Sequence, residues 1–117
     1  MKRYDDSKFI NHFINAPLGL IVLESSRELG HKIDDYLVRI TRELQPGADI
    51  DSFIIPIEEI RFANGDGKVV LKESVRGKEV FIICDVGNYG CTYSMYGMVN
   101  HKSPDDHFQD VKRVYQL

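Results

Sequence analysis

The stretch Leu18-Gly19-Leu20-Ile21-Val22-Leu23-Glu24-Ser25-Ser26-Arg27-Glu28-Leu29 decides the fold. Its opening run, Leu18 to Leu23, is apolar without a break, so it is greasy on both faces, as a buried strand of a parallel sheet must be. Ser25 then offers an N-cap hydroxyl, and Glu28, three residues on, offers the return partner of a capping box. Leu29, Ile33, Tyr36, Leu37, Ile40 and Leu44 recur at helical spacing and should form the buried face, and Pro46-Gly47 closes the helix. A strand followed by a capped helix is the first half of a βαβ unit. The expectation is an α/β domain with a mostly parallel sheet, flanking helices and one projecting β-hairpin.

Toward the C-terminus, Phe53-Ile54-Ile55-Pro56-Ile57 is apolar but interrupted by proline, which suits a loop or an edge segment. Residues 59–63 and 68–72 are strand-like runs around Asn64-Gly65-Asp66-Gly67, the pattern of a β-hairpin. Charges at Arg61, Lys68 and Lys72 suit a solvated ribbon that projects from the sheet. After the turn Arg76-Gly77-Lys78, the run Glu79 to Cys84 is the most strand-like in the chain and is expected to be central and buried. Residues 85–102 show no clean period. Ser103, Pro104, Asp105 and Asp106 then open a last helix, with Phe108, Val111, Val114 and Tyr115 as its candidate buried face. Toward the N-terminus, Phe9, Ile10, Phe13 and Ile14 fit a short amphipathic helix over residues 7–15, broken by Pro17.

Composition narrows the function classes. With 43% hydrophobic and 28% charged residues the chain is neither disordered nor fibrous. A net charge of −3 argues against a nucleic-acid binder. No apolar run reaches bilayer length, and no signal-peptide core follows Met1-Lys2-Arg3, so no membrane partner and a cytoplasmic location are expected. Cys84 and Cys91 make no disulfide framework, and with His101 and His107 they lack the compact spacing of a structural zinc site. His107 stands among Asp105, Asp106 and Asp110, which reads best as a capped helix start with acids placed by the helix dipole. Tyr89, Tyr93, Met95, Tyr96 and Met98 form a soft aromatic patch that suits either an interface or a core lining.

The hairpin also carries a resemblance. Phe62-Ala63-Asn64-Gly65-Asp66, then Val69-Val70-Leu71-Lys72-Glu73-Ser74-Val75-Arg76-Gly77-Lys78-Glu79-Val80-Phe81-Ile82-Ile83, matches a pattern in order, spacing and residue type. That pattern is a Phe-Ser-Asp-Gly-Glu motif, a strand, an Arg-Gly turn and a Val-Phe-Ile-Ile strand. It resembles the N-terminal domain of ribose-phosphate pyrophosphokinases, the phosphoribosyl pyrophosphate synthetases, over residues 18–83. Residues 87–108 depart from it, since the family usually runs a short polar link into a helix there.

The resemblance implies the N-terminal half of a two-domain phosphoribosyltransferase-like architecture, with the chain a single domain over residues 1–117, cut short of the catalytic half. It implies a parent reaction that transfers diphosphate from ATP to ribose 5-phosphate with Mg²⁺, in a homo-oligomer. Carried over by position, Phe62 is the adenine platform, reaching a neighbouring subunit's site, and Asn64 and Asp66 are its polar contacts. An aromatic face stacks on a purine, and side-chain oxygens accept from its exocyclic amine. Asn64 replaces an acid, and Asp66 is one methylene shorter than the family's Glu. The family's phosphate loop, catalytic lysine, metal ligands and ribose-phosphate loop would lie past Leu117, so no catalytic or metal-binding residue is expected here, and neither Mg²⁺ nor ATP should be held strongly by this chain alone. The alternatives are a non-catalytic homologue that binds the full-length enzyme and an unrelated small α/β binding module.

Overall fold

Strand β1 (Leu18–Val22) is the central strand, and it lies in a computed structural model that describes residues 17–117. The helix expected over residues 7–15 lies outside the described residues. Leu18, Leu20 and Ile21 are all buried, as an apolar run with neighbours on both edges should be. On one edge β1 pairs in parallel with β4 (Glu79–Ile83), with Leu20 opposite Phe81. On the other edge Leu20 forms a parallel bridge with Ile54. There the Leu20 N–H donates to the Phe53 carbonyl at 2.9 Å, and the Ile55 N–H donates to the Leu20 carbonyl at 2.8 Å. The proline-interrupted segment is therefore an edge, as read.

β4 corrects an expectation. Among the described residues it is an edge strand rather than a central one, and Phe81 is half exposed. Side chains alternate along a strand, so Val80 and Ile82 pack toward the core while Phe81 points the other way. Uniform apolarity says that a strand is buried on two faces or has a face for something else, and it does not choose between them.

Helix α1 (Arg27–Leu44) follows a short 3-10 turn, Glu24–Ser26. The capping box read at Ser25 and Glu28 does not form. The Ser25 hydroxyl instead accepts from the Asp85 N–H at 2.9 Å, and the Ser26 hydroxyl donates to the Ile83 carbonyl at 2.7 Å. Both serines tie the start of α1 to the end of β4. The buried stripe of α1 is also not the one expected, being Gly30, Asp34, Val38 and Thr41 rather than the Leu29, Ile33, Tyr36, Leu37, Ile40 and Leu44 set. Leu29, Tyr36 and Leu44 are exposed. Close approach explains the shift, because a Cβ on Gly30 would fall 2.3 Å from a methyl of Val22. Asp34 is buried because it accepts from the Phe53 N–H and from the Ser52 hydroxyl, each at 2.7 Å. It thereby holds the edge segment beside β1.

Strands β2 (Ile57–Arg61) and β3 (Gly67–Leu71) form the expected antiparallel hairpin, with Arg61 opposite Gly67. A second hairpin joins β5 (Thr92–Met95) to β6 (Met98–His101), in the segment without a readable period. Its turn uses Tyr96 at φ 50° and Gly97 at φ 78°. Tyr-Gly is a weaker turn signal than Asn-Gly, and the flanking strands do not alternate cleanly.

The last helix, α2 (Pro104–Tyr115), has the full cap that the sequence announces. The Asp106 N–H donates to the Ser103 hydroxyl at 3.2 Å, and the Ser103 N–H donates to the Asp106 carboxylate at 2.8 Å. Its buried positions are His107, Asp110 and Val114, with Val111 half-buried against the core. Phe108 and Tyr115 are exposed, contrary to expectation. The core on this side of the sheet gathers Ile21, Leu23, Ile55, Val69 and Val114. The domain is thus mixed α/β: a small parallel sheet, α1 on the Val22 face, and α2 with the β2–β3 hairpin on the Ile21 face.

Candidate functional site

The tip of the β2–β3 hairpin holds all three residues singled out in the sequence. The Phe62 N–H donates to the Asp66 carbonyl at 2.8 Å, and the Gly65 N–H donates to the Phe62 carbonyl at 2.9 Å. Gly65 sits at φ 90°, a conformation that a side chain would strain. Asn64 and Asp66 engage each other: the Asn64 side-chain carbonyl accepts from the Asp66 N–H at 3.0 Å, and its amide donates to the Asp66 carboxylate at 3.0 Å. Both remain exposed; the one side-chain oxygen of Asn64 is taken by the Asp66 N–H, and the second carboxylate oxygen of Asp66 is left to face solvent. The Phe62 ring is 50% exposed and is not enclosed by its own chain. The tip therefore presents an apolar ring beside two hydrogen-bonding side chains.

Arg61 was read as part of a solvated ribbon and is instead mostly buried. Its Nη1 donates to the Gly65 carbonyl at 2.7 Å, its Nη2 lies 3.6 Å from the Asp110 carboxylate, and its guanidinium lies 4.5 Å from the Tyr93 ring centre. One side chain links the turn, α2 and β5. Sequence alone offers no signal for this, since an Arg on a hairpin flank is ordinarily solvated.

Below the tip, charged groups line a cleft of roughly 90 Å³ between the hairpin, α2 and β5. Asp110 accepts from Lys102 Nζ at 2.8 Å and from Arg113 Nη1 at 2.5 Å. Lys102 also stands 3.6 Å from the Glu24 carboxylate, and the Glu24 N–H donates to Glu59 at 3.2 Å. Burial pulls the Lys102 ammonium down, but the hydrogen bond and charge of Asp110, with the charges of Glu24 and Glu59, outweigh it and raise its pKa. Burial raises the Glu59 carboxyl, against the pull of Lys102. Three acids, Glu24, Glu59 and Asp110, face four cations, Arg61, Lys68, Lys102 and Arg113. Asp110 pairs with Arg61, Lys102 and Arg113, and this joins the hairpin base to α2.

The remaining candidates are structural in form. His107 is fully buried, and its Nε2 lies 2.6 Å from the Asn88 carbonyl, which can only accept, so Nε2 carries the proton. Burial raises both the Cys84 and the Cys91 thiols, away from the nucleophilic thiolate. The Mg²⁺ implied for the parent reaction finds no fitting ligand set, since among the described residues no group of three or more His, Cys, Asp or Glu is placed to hold a metal. No described helix is long and apolar enough to cross a membrane. Tyr89, Tyr96 and Met98 are largely exposed, so most of the soft aromatic patch is surface rather than core lining.

The family described as the N-terminal domain of ribose phosphate pyrophosphokinase matches residues 18–115. No curated protein and no solved structure matches the chain significantly.

Proposed function

This chain belongs to the ribose phosphate pyrophosphokinase family through the N-terminal domain of those enzymes, and on that premise we propose that it serves a ribose-phosphate diphosphokinase, which moves diphosphate from ATP to ribose 5-phosphate. The family is one of transferases. Within that reading the chain's own contribution is the β2–β3 tip. Phe62 stacks on adenine at a neighbouring subunit's site, while Asn64 and Asp66 accept from its exocyclic amine. Triphosphate, Mg²⁺ and ribose 5-phosphate are handled elsewhere in the assembly. The observation that carries the reading is the half-exposed Phe62 ring beside two exposed hydrogen-bonding side chains on a tight, well-bonded turn.

The test is a chemical-shift titration of the isotope-labelled chain with Mg-ATP through the millimolar range. Saturable shifts should appear at the amides of residues 62–66, and GTP should shift them less, because guanine carries a carbonyl where adenine carries its 6-amine. Phe62→Ala should weaken binding by about 1–3 kcal/mol, the scale of a base–aromatic stack. ATP shifts confined to another face, or none at all, would overturn the reading.

A further inference from the structure

β5 and β6 form a two-stranded sheet of their own. Their segment enters and leaves at one point, where the Lys102 N–H donates to the Cys91 carbonyl at 2.8 Å. The hairpin adds no strand to the parallel sheet and no side chain to the central core cluster. It nevertheless meets the turn of β2–β3 at three places. The Tyr96 N–H donates to the Ala63 carbonyl at 2.6 Å. Met95 lies against Gly65, so closely that a Cβ there would fall 2.8 Å from its sulfur. The Tyr93 ring carries the Arg61 guanidinium, which in turn bonds the Gly65 carbonyl. Tyr96 holds φ 50°, a sparsely populated region for a bulky residue, and such conformations persist where the surroundings over-determine them.

We propose that the β5–β6 hairpin is a positioning element, with Tyr93, Met95 and Tyr96 holding the residue 61–66 turn in the conformation that presents Phe62 to an adenine nucleotide. The ligand named here rests on the proposed function; the positioning itself rests on the contacts. An exposed two-stranded tip frays when nothing braces it. Three anchors spaced from Arg61 to Gly65 oppose that fraying. A turn already ordered costs less to order on binding, which favours affinity without any new ligand contact.

Two variants test this. In the first, residues 92–101 are replaced by Gly-Gly, which can join Cys91 to Lys102 because their backbones already touch. The second is Met95→Ala, with Met95→Leu as the conservative rescue. Amide hydrogen exchange is followed at Phe62 and Gly65, both donors within the turn, and at Leu20 and Ile55 as core references. The hairpin deletion should speed exchange at Phe62 and Gly65 about tenfold or more, the scale of an ordinary hydrogen bond, and leave Leu20 and Ile55 unchanged. Met95→Ala should speed the same two amides by a smaller factor, and Met95→Leu should restore them. Wild-type exchange in the turn of both variants would overturn the proposal. Equal acceleration of turn and core would do so too, since it would make the hairpin a general stabiliser. If the deletion does not fold, the Met95 pair decides. Exchange needs no nucleotide, so a wild-type chain that binds no ATP sinks the functional reading while this one is judged separately. ATP shifts at residues 62–66 of equal size with and without the hairpin would count against positioning.

Discussion

Glu59 shows what one residue contributes here. Its carboxyl is half-buried and takes a single N–H, from Glu24, while burial outweighs the attraction of Lys102 and raises its pKa. For an acid whose folded pKa lies above its unfolded value, protonation favours the folded state. The stabilising contribution is fully present below the unfolded pKa and is lost as pH rises through the folded one. Glu59→Gln, which keeps the acceptor and removes the charge, should therefore be more stable than the parent at neutral pH, and the difference should shrink as pH falls toward the carboxylate range. Urea titrations at several pH values would check it, and a constant difference would show that Glu59 titrates alike in both states. Phe62 gives the opposite case: its ring is half exposed, so Phe62→Ala should change stability by no more than about 0.5 kcal/mol, as surface positions do, while weakening nucleotide binding. Phe62, Asn64 and Asp66 were legible in the sequence because two glycines and an aromatic ring in a turn are local signals. Arg61, Lys102 and Asp110 were not, because their meaning depends on partners from distant parts of the chain, Asp110 for Arg61 and Glu24 for Lys102.

At the scale of elements, helix α1 turns toward the sheet a stripe of mostly polar and small residues, Gly30, Asp34 and Thr41, with Val38. Asp34 accepts the Phe53 N–H and the Ser52 hydroxyl, and Gly30 admits Val22. Asp34→Ala removes an acceptor and leaves the Phe53 N–H orphaned beside β1. It should cost about 1–3 kcal/mol, the penalty of an unsatisfied buried donor, read as a shift in the midpoint of chemical denaturation. A change below about 0.5 kcal/mol would mean that water replaces the carboxylate at no cost. The periodic leucines and Tyr36 had pointed to the other side of the helix. Periodicity reports where apolar residues lie, and it reports the core only when nothing else competes for them. In α2 the cap was readable at Ser103 and Pro104, and part of the buried face at Val111 and Val114, because N-cap residues are local signals. Phe108 and Tyr115 are outside the core because the buried stripe runs through His107 and Asp110 instead.

The whole molecule leaves apolar surface uncovered among the described residues. Phe81 on the β4 edge is half exposed, as are Leu29 and Tyr36 on α1, and Tyr115 is more so. An open sheet edge and an apolar helix face each favour association. We expect at least a dimer, and sedimentation that finds only monomer at high micromolar concentration would count against it. A second expectation concerns turnover. Among the described residues no group of three or more His, Cys, Asp or Glu is placed to hold a metal, and three of the cleft's four cations are engaged by Asp110. The chain alone should make no phosphoribosyl pyrophosphate from ATP and ribose 5-phosphate. Turnover at an ordinary enzymatic rate of ~1 per second or more would show that a catalytic group has gone unrecognised.

By itself the sequence determined the class of the domain, the buried strand Leu18–Val22, the β2–β3 hairpin, the capped helix after Ser103 and the loop that carries the family resemblance. Each rests on short-range chemistry: an apolar run, two glycines in a turn, an N-cap serine followed by proline and acids. Tertiary structure alone decided which face of α1 is buried, that β4 is an edge among the described residues, that Ser25 serves Asp85 instead of a helix cap, and that a second hairpin rests on the first. Those outcomes depend on which surfaces meet. A glycine that lets Val22 approach, or a carboxylate that finds an N–H nineteen residues away, has no local signature, because its energy exists only once both partners are in place.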